Sequence, residues 1–195
     1  MAARGWALTI PSVLDFIYVY NNIFTPSECA QICAFLTNSS NWEEHYYGGD
    51  ATPVFHKNKK EHYILLSQNT HNSVEYGIVK NKIESALQHY HLSLNLKNWN
   101  GYTPVRFNKY NEETQCNEHW DANSSINSEH KGFPLLSVVG VLNDNFKGGD
   151  FIMFDNHKIN LSGGSILIFP STFIYYHKVT KITKGTRFSF VSWVW

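Results

Sequence analysis

The strongest constraint on the fold is a succession of short hydrophobic runs that begins after Asn100. Each run is rich in β-branched or aromatic residues, and turn-forming segments such as 143–145, 148–149 and 163–164 separate the runs. The runs cover residues 104–110, 135–142, 149–154, 157–161, 165–169, 175–179 and 187–193. Many short strands at this spacing predict an antiparallel sandwich or barrel.

The first hundred residues carry the signals of two helices. Thr25 and Glu28 form a capping-box pattern around Pro26, which predicts a helix that runs to about Leu36. Apolar residues at helical spacing predict a second helix over residues 73–90. The segments predicted as strands in this region are 16–24 and 63–66. The fold class is therefore expected to be α+β and mainly β, with the N-terminal helices packed on one sheet.

Composition excludes several classes of protein. The charges sum to zero at neutral pH, so no nucleic-acid partner is expected. No stretch approaches the roughly 20 apolar residues of a membrane span, so no membrane partner is expected. The three cysteines, of which Cys29 and Cys33 share a helical face, fit reduced thiols in the cytoplasm. The length of 195 residues fits one domain, in which residues 1–100 support a core formed by 101–195.

His119-Trp120-Asp121 is the segment that points most directly to chemistry. On extended backbone, residues two apart point to the same face, so His119 and Asp121 can converge while Trp120 turns away. An imidazole and a carboxylate supply two of the three protein ligands of a non-haem iron(II) site. Alone the motif is weak, because a chain with ten histidines can match it by chance and the aspartate can cap a turn.

A late histidine and a nearby arginine supply what the motif lacks. His177 lies in a strand-like run, and we expect a hairpin turn at 183–185 to bring Arg187 alongside it on the neighbouring strand. The planar fork of an arginine is suited to hold one end of a dicarboxylate. Ser189 lies on the same strand face as Arg187 and can add a hydrogen bond. The alternative is that Arg187 makes a surface ion pair. The other histidines, His45 and His62 among them, are expected to be surface or satisfied polar residues.

The motifs that surround these residues follow one another in a familiar order. Lys109-Tyr110 stands nine residues before His119. The later motifs are LNDNFKGGDF at 142–151, GGSILIFP at 163–170, His177, GTR at 185–187 and a terminal strand with Trp193. From about Val105 to Trp195 the sequence resembles the prolyl 4-hydroxylase-like branch of the 2-oxoglutarate- and Fe(II)-dependent dioxygenase superfamily. The resemblance implies a double-stranded β-helix core, which is a cupin-like jelly roll.

The resemblance also implies roles for individual residues. The implied metal ligands are His119, Asp121 and His177. Arg187 is expected to bind 2-oxoglutarate, although lysine is frequent at that position in the family. Tyr110 and Ser189 are expected to assist co-substrate binding, and a core position is the alternative reading of Tyr110. Asp150 stands where glutamate is usual in the family, and its effect is left open.

The implied reaction converts 2-oxoglutarate and O2 to succinate and CO2 while a substrate is hydroxylated, with ascorbate as an optional further cofactor. A peptidyl proline is the favoured target, because polar segments 42–60 and 122–133 flank the expected site. The residues that can line a peptide groove are Tyr46, Tyr47 and Trp120. The alternatives are a free amino acid or other small molecule, and a catalytically silent jelly-roll binding module. The nucleic-acid dealkylase branch fits poorly, since no Lys or Arg follows Arg187. The oligomeric state is left open.

Overall fold

A computed structural model of the protein describes residues 11–45, 62–96, 100–122 and 132–195. Two α-helices precede most of the strands: α1 is Pro26–Asn38 and α2 is Val74–Leu94. The strands are β1 (Tyr18–Tyr20), β2 (Glu43–Glu44), β3 (Tyr63–Leu65), β4 (Arg106–Tyr110), β5 (Cys116–His119), β6 (Leu136–Val141), β7 (Phe146–Gly148), β8 (Phe151–Met153), β9 (His157–Ile159), β10 (Ser165–Pro170), β11 (His177–Val179), β12 (Ile182–Gly185) and β13 (Arg187–Val194). No helix in these described ranges is long and apolar enough to cross a membrane.

Both helix starts are fixed by local side-chain hydrogen bonds. The predicted capping box of α1 is confirmed, because the Thr25 hydroxyl accepts from the Glu28 N–H and the Glu28 carboxylate accepts from the Thr25 N–H. At the start of α2, the Ser73 hydroxyl accepts a hydrogen bond from the Tyr76 N–H. At the other end Asn95 adopts a left-handed backbone with φ +50°, which stops the helix.

The predicted first strand is shorter than expected. Of residues 16–24, only Tyr18–Tyr20 form a strand, and Val13–Phe16 form a 3-10 turn. The Ser12 N–H donates to the Asp15 carboxylate and the Ser12 hydroxyl accepts from the Leu14 N–H, which favours the turn over extended backbone. Asn22, with φ +56°, then ends the strand.

Two antiparallel sheets form the body of the protein. The larger sheet has the strand order β1-β10-β6-β13-β4-β3-β2, and the smaller has the order β5-β11-β8-β9. One face of the larger sheet packs under α1 and α2 in a core that includes Ile32, Leu87 and Phe190. Its other face, called the inner face below, packs against the smaller sheet in a second core that includes Val139 and Phe151. The expected mainly β fold with helices covering one sheet is confirmed.

The predicted hairpin between His177 and Arg187 is wrong. Residues 182–185 form β12, which pairs with β7 in a separate two-stranded sheet. Gly185, at φ +80°, then redirects the chain to the larger sheet, where β13 pairs with β4 and β6. Since β11 pairs with β5 and β8, His177 and Arg187 lie on facing sheets rather than on neighbouring strands.

Candidate functional site

Three predicted site residues meet at one edge of the smaller sheet. β5 and β11 pair with His119 opposite His177, and Asp121 follows two residues after His119. One ligand atom from each of the three side chains lies within 4.8 Å of the others. Asp121 Oδ1 is 3.4 Å from His119 Nε2, and Asp121 Oδ2 is 3.9 Å from His177 Nε2. The register of two strands therefore brings the distant histidine to the His-x-Asp motif.

Backbone carbonyls orient both imidazole rings. His119 Nδ1 lies 2.8 Å from the carbonyl of Asn117, and His177 Nδ1 lies 3.0 Å from the carbonyl of Tyr175. A carbonyl oxygen only accepts, so each Nδ1 must carry the proton. A neutral ring in this tautomer presents the lone pair of Nε2 to the cluster, as a metal ligand requires.

Asp121 is held as a buried carboxylate. The Ser137 hydroxyl donates to Asp121 Oδ2 at 2.6 Å and lies 2.8 Å from the Ser171 hydroxyl. Burial acts to raise the pKa of Asp121, but His177, His119 and the Ser137 hydrogen bond together hold it below its usual range. Burial, with His119 beside it, lowers the pKa of His177 to about 4. At neutral pH the cluster therefore offers one negative oxygen ligand and a neutral His177.

The donor set fits a divalent transition metal. Two imidazole nitrogens and one carboxylate on one side of an ion are the facial arrangement of non-haem iron(II), which leaves coordination positions open. The anchored Nδ1 atoms and the Ser137 hydrogen bond supply the outer support that such ligands need. Within the described residues, these three are the group that can hold a metal.

Arg187 lies on the inner face of the larger sheet and is only 2% exposed. Its Nη1 donates to the Ser189 hydroxyl at 2.9 Å, and its guanidinium carbon lies 5.1 Å from the ring centre of Tyr110. No carboxylate in the described part of the chain pairs with it, so the alternative of a surface ion pair is wrong. Burial lowers the pKa of Arg187, but a guanidinium stays charged in proteins. A buried cation of this kind is costly unless an anion joins it, which points to an anionic ligand.

Gly149 makes room for this arginine, a role that sequence reasoning missed. A Cβ atom on Gly149 would lie 3.0 Å from Arg187 Cδ and 2.5 Å from Ile182 Cδ1. The backbone of Gly149 is left-handed, with φ +68°, which side chains other than glycine rarely adopt. The glycine pair read as a turn signal thus also shapes the space around the guanidinium. A cavity of 350 Å³ opens here, lined by residues that include Arg187, Gly149 and Phe151.

Tyr110 is the end of a column of stacked rings. The His62 ring lies 4.5 Å from that of Tyr110 and 4.5 Å from that of His45, both in stacked geometry. Burial lowers the pKa of His62 well below its usual value and that of His45 to about 3, so both rings are neutral. Burial also raises the pKa of Tyr110, which keeps its hydroxyl protonated. His62 is buried rather than at the surface. It directly precedes the short strand β3, and no sequence signal predicts that this strand lies next to Tyr110.

The remaining predicted residues fall in different places. Trp120 is 52% exposed beside the metal-ligand cluster. Tyr46 and Tyr47 lie outside the described residues, as do most of the predicted flanking segments 42–60 and 122–133. Asp150, which is half-buried and immediately precedes β8, pairs with Lys158 at 2.7 Å.

Known sequences match the part of the chain that carries this geometry. Residues 105–195 match the 2OG-Fe(II) oxygenase superfamily. A PKHD-type hydroxylase of Xylella fastidiosa (strain M12) is 33% identical over 102 residues, which are 47% of this chain and 44% of that protein. A PKHD-type hydroxylase of Cupriavidus pinatubonensis is 29% identical over 99 residues, or 47% and 42% of the two chains. The chain spans less than half the length of these relatives.

Solved structures share the fold over nearly the whole chain. A prolyl hydroxylase from Trichoplax adhaerens, in complex with a hypoxia inducible factor peptide fragment, has a TM-score of 0.73 at 17% identity, covering 93% of this chain and 85% of its own. A viral collagen prolyl hydroxylase from Paramecium Bursaria Chlorella virus-1 has a TM-score of 0.62 at 12% identity, covering 92% and 94%. The jelly-roll core and the resemblance to prolyl 4-hydroxylase-like 2-oxoglutarate oxygenases, both predicted from the sequence, are confirmed.

Proposed function

Because residues 105–195 form a 2OG-Fe(II) oxygenase-like core, we propose that this protein is an Fe(II)- and 2-oxoglutarate-dependent hydroxylase. The proposed metal ligands are His119, Asp121 and His177, and Arg187 is the proposed binding group for the co-substrate. The observation that carries the proposal is the pairing of two oriented features on facing sheets. One is a His-Asp-His cluster with both Nε2 atoms turned inward, and the other is a buried guanidinium without a carboxylate partner in the described chain.

The proposed reaction converts 2-oxoglutarate, O2 and a C–H bond of the substrate to succinate, CO2 and the hydroxylated product. Bound iron(II) supplies the activation of oxygen. Arg187 binds the far carboxylate of 2-oxoglutarate through its planar fork. Ser189 holds one arm of that fork, and the ring of Tyr110 covers its face. The Tyr110 hydroxyl stays protonated and is available as a donor to the co-substrate.

The chain also excludes water and fixes the ligand charges. His177 and Asp121 are both buried, and the His177 ring stacks on Phe151 at 5.0 Å. The ring of Phe169 lies across that of His177 at the same distance. Apolar walls of this kind strengthen the charge interactions inside the site and protect reactive groups from solvent.

A peptide is the proposed substrate, with hydroxylation of a prolyl residue as the proposed chemistry. Trp120, Phe173 and Ile174 are exposed apolar residues, and their two segments meet where the Ala122 N–H donates to the Ser171 carbonyl. Exposed apolar residues grouped beside a site favour binding of another molecule. The similar Trichoplax protein binds a peptide fragment, which supports the same class of partner here.

Anaerobic titration tests the proposal. The Fe(II)-loaded protein is titrated with 2-oxoglutarate while the weak visible charge-transfer band of the chelate is followed. We expect the band in the native protein, no band in His177→Ala, and a much higher titration midpoint in Arg187→Gln. A folded native protein that shows no band at any 2-oxoglutarate concentration contradicts the proposal. Succinate release with and without ascorbate then shows whether ascorbate sustains turnover.

A further inference from the structure

A second arginine lies on the inner face, away from Arg187. Arg106 begins β4, and alternation along the strand places it on the same face as Asn108 and Tyr110. Arg187 pairs with Tyr110 across β13 and β4, so Arg106 lies four residues further along, or roughly 13 Å at the usual rise.

Arg106 is stacked on an indole ring. Its guanidinium carbon lies 4.9 Å from the ring centre of Trp193, a geometry that fixes both groups relative to each other. Trp193 is only 7% exposed. Its position on β13 places it on the inner face with Arg187 and Ser189.

Buried polar atoms near this stack lack partners. Trp193 Nε1 makes no hydrogen bond within the described residues, and neither does the side-chain oxygen of Asn108, which is 2% exposed. Buried polar groups are nearly always satisfied in native proteins. A buried donor and a buried acceptor left over on the same face of the sheet therefore indicate a ligand that is bound between them.

The stack of Arg106 on Trp193 lies on the side of the larger sheet that faces His119, Asp121 and His177. Trp193 is directly opposite Ser137 in the β13–β6 register, and the Ser137 hydroxyl donates to Asp121. Side chains directly opposite each other in an antiparallel pair are neighbours. The indole is thus one side chain removed from a proposed metal ligand, where the oxidised part of a substrate would lie.

We propose that Arg106 and the Trp193 N–H bind a free carboxylate of the substrate, and that Asn108 accepts a hydrogen bond from the same molecule. The proposal rests on the proposed function, which it deepens. A carboxylate suits the site better than a peptide carbonyl, because a guanidinium fork makes charge-assisted hydrogen bonds to negatively charged oxygens and the indole adds an N–H donor. The substrate is then an amino acid, either free or as the last residue of a peptide.

The test follows the indole N–H signals by NMR in protein loaded with Zn(II) and 2-oxoglutarate, which binds without turnover. The chain has six tryptophans, and Trp193→Phe identifies the signal of Trp193 by its loss. The probes are acetate, L-proline, N-acetyl-L-proline and the neutral N-acetyl-L-prolinamide. We expect the carboxylates to shift the Trp193 signal saturably and the amide to leave it unchanged. A response to L-proline alone indicates a free amino acid, and a response to N-acetyl-L-proline indicates a C-terminal residue.

Variants of β4 distinguish loss of carboxylate binding at Arg106 from a general effect of removing a positive charge on that strand. Arg106→Gln is expected to weaken carboxylate binding at least tenfold, and Arg106→Lys, which keeps the charge without the fork, to weaken it less. Lys109→Gln is the matched control, because Lys109 is on the same strand but lies 4.4 Å from the ring centre of Trp42, on the helix-facing side. Its carboxylate binding is expected to equal that of the native protein.

Three results overturn the inference. They are no response of the Trp193 signal to any carboxylate, an equal response to the acid and the amide, and an unchanged response in both folded Arg106 variants. The proposed function is tested separately by the 2-oxoglutarate titration, so it can stand when this inference falls. If the titration fails and carboxylates still shift the Trp193 signal, the carboxylate site stands without the oxygenase.

Discussion

The two faces of β13 perform different tasks. On the helix-facing side, Phe188, Phe190 and Val194 are part of the core under α1 and α2. On the inner side, Arg187 and Ser189 form the proposed co-substrate anchor. Because strand residues alternate between faces, one eight-residue strand supplies both the core and the site. The helix-facing residues of β13 can therefore be substituted without replacing the proposed anchor.

Neighbouring strands repeat this division. On β6, Ser137 faces inward to hold Asp121, while Gly140 on the other side lies under the ring of Phe190. On β4, Phe107 is in the helix-facing core and Asn108 lies on the inner face. The site is consequently built on a sheet that is braced from behind, which favours fixed side-chain positions.

The largest functional effect is expected at the proposed metal ligands. His177→Ala removes one of the three proposed ligands, and turnover of 2-oxoglutarate should fall by about 1,000-fold or more, since metal catalysis supplies several kcal/mol. The measurement is succinate release together with bound iron. His157→Ala is the control, because His157 is an exposed histidine on β9. Retained iron binding in folded His177→Ala would contradict the proposed role of His177 as a metal ligand.

The next effect tests the opposite face. Phe190→Ala should lower the free energy of unfolding by about 3–5 kcal/mol, because Phe190 is fully buried and leaves a cavity. Urea unfolding measures this change, and the KM for 2-oxoglutarate in the folded variant should stay near the native value. Phe173→Ala, at a side chain that is 69% exposed, should change stability by less than about 0.5 kcal/mol. A large rise in KM for Phe190→Ala would show that the two faces are not independent.

A smaller effect is expected at the co-substrate anchor. Arg187→Gln should raise the KM for 2-oxoglutarate about 100-fold, because hydrogen bonds to a charged group contribute about 1.5–3 kcal/mol. Gly149→Ala should raise it in the same direction by displacing Arg187. Lys184→Gln, at an exposed position on β12, serves as the control. An unchanged KM in Arg187→Gln would require another anchor.

The smallest effect concerns the ring column. His62 has a pKa well below 6.5 in the folded protein, so it stays neutral when the unfolded chain becomes protonated. Above pH 6.5 the His62 ring is neutral in both the folded and the unfolded protein. As pH falls below 6.5, protonation of His62 in the unfolded chain lowers the free energy of unfolding, and the loss reaches about 1.4 kcal/mol at about pH 5.5. His62→Phe keeps a stacking ring and should remove that part of the acid sensitivity. Urea unfolding at both pH values compares the variants, and equal pH slopes would show that His62 does not titrate as described.

Local signals in the sequence predicted much of this molecule. The capping box at Thr25 and Glu28 depends on neighbouring residues, and the strand runs after Asn100 carry their own hydrophobic pattern. The clustering of His119, Asp121 and His177 was predicted by the motif together with the resemblance, and the geometry agrees with it.

What the sequence did not reveal depends on long-range pairing. β5, β7 and β12 are short and polar, so they lack the hydrophobic alternation that identifies a strand. The path from His177 to Arg187 was misjudged because β12 finds its partner in β7, more than thirty residues earlier. The contact of His62 with Tyr110 requires β3 to join β4 at the edge of the larger sheet, which no local pattern specifies.

The anchoring of the two imidazoles has a consequence for how this protein can change. Each ring is held by the carbonyl of the residue two positions before it in its own segment, Asn117 for His119 and Tyr175 for His177. The tautomer of each ligand is therefore encoded within three consecutive residues and does not depend on distant side chains. Asp121, in contrast, relies on Ser137 from the facing sheet. Substitutions elsewhere on the substrate-facing surface can thus leave the orientation of both histidines unchanged. Asp121 is the proposed ligand whose position is most sensitive to a shift between the sheets.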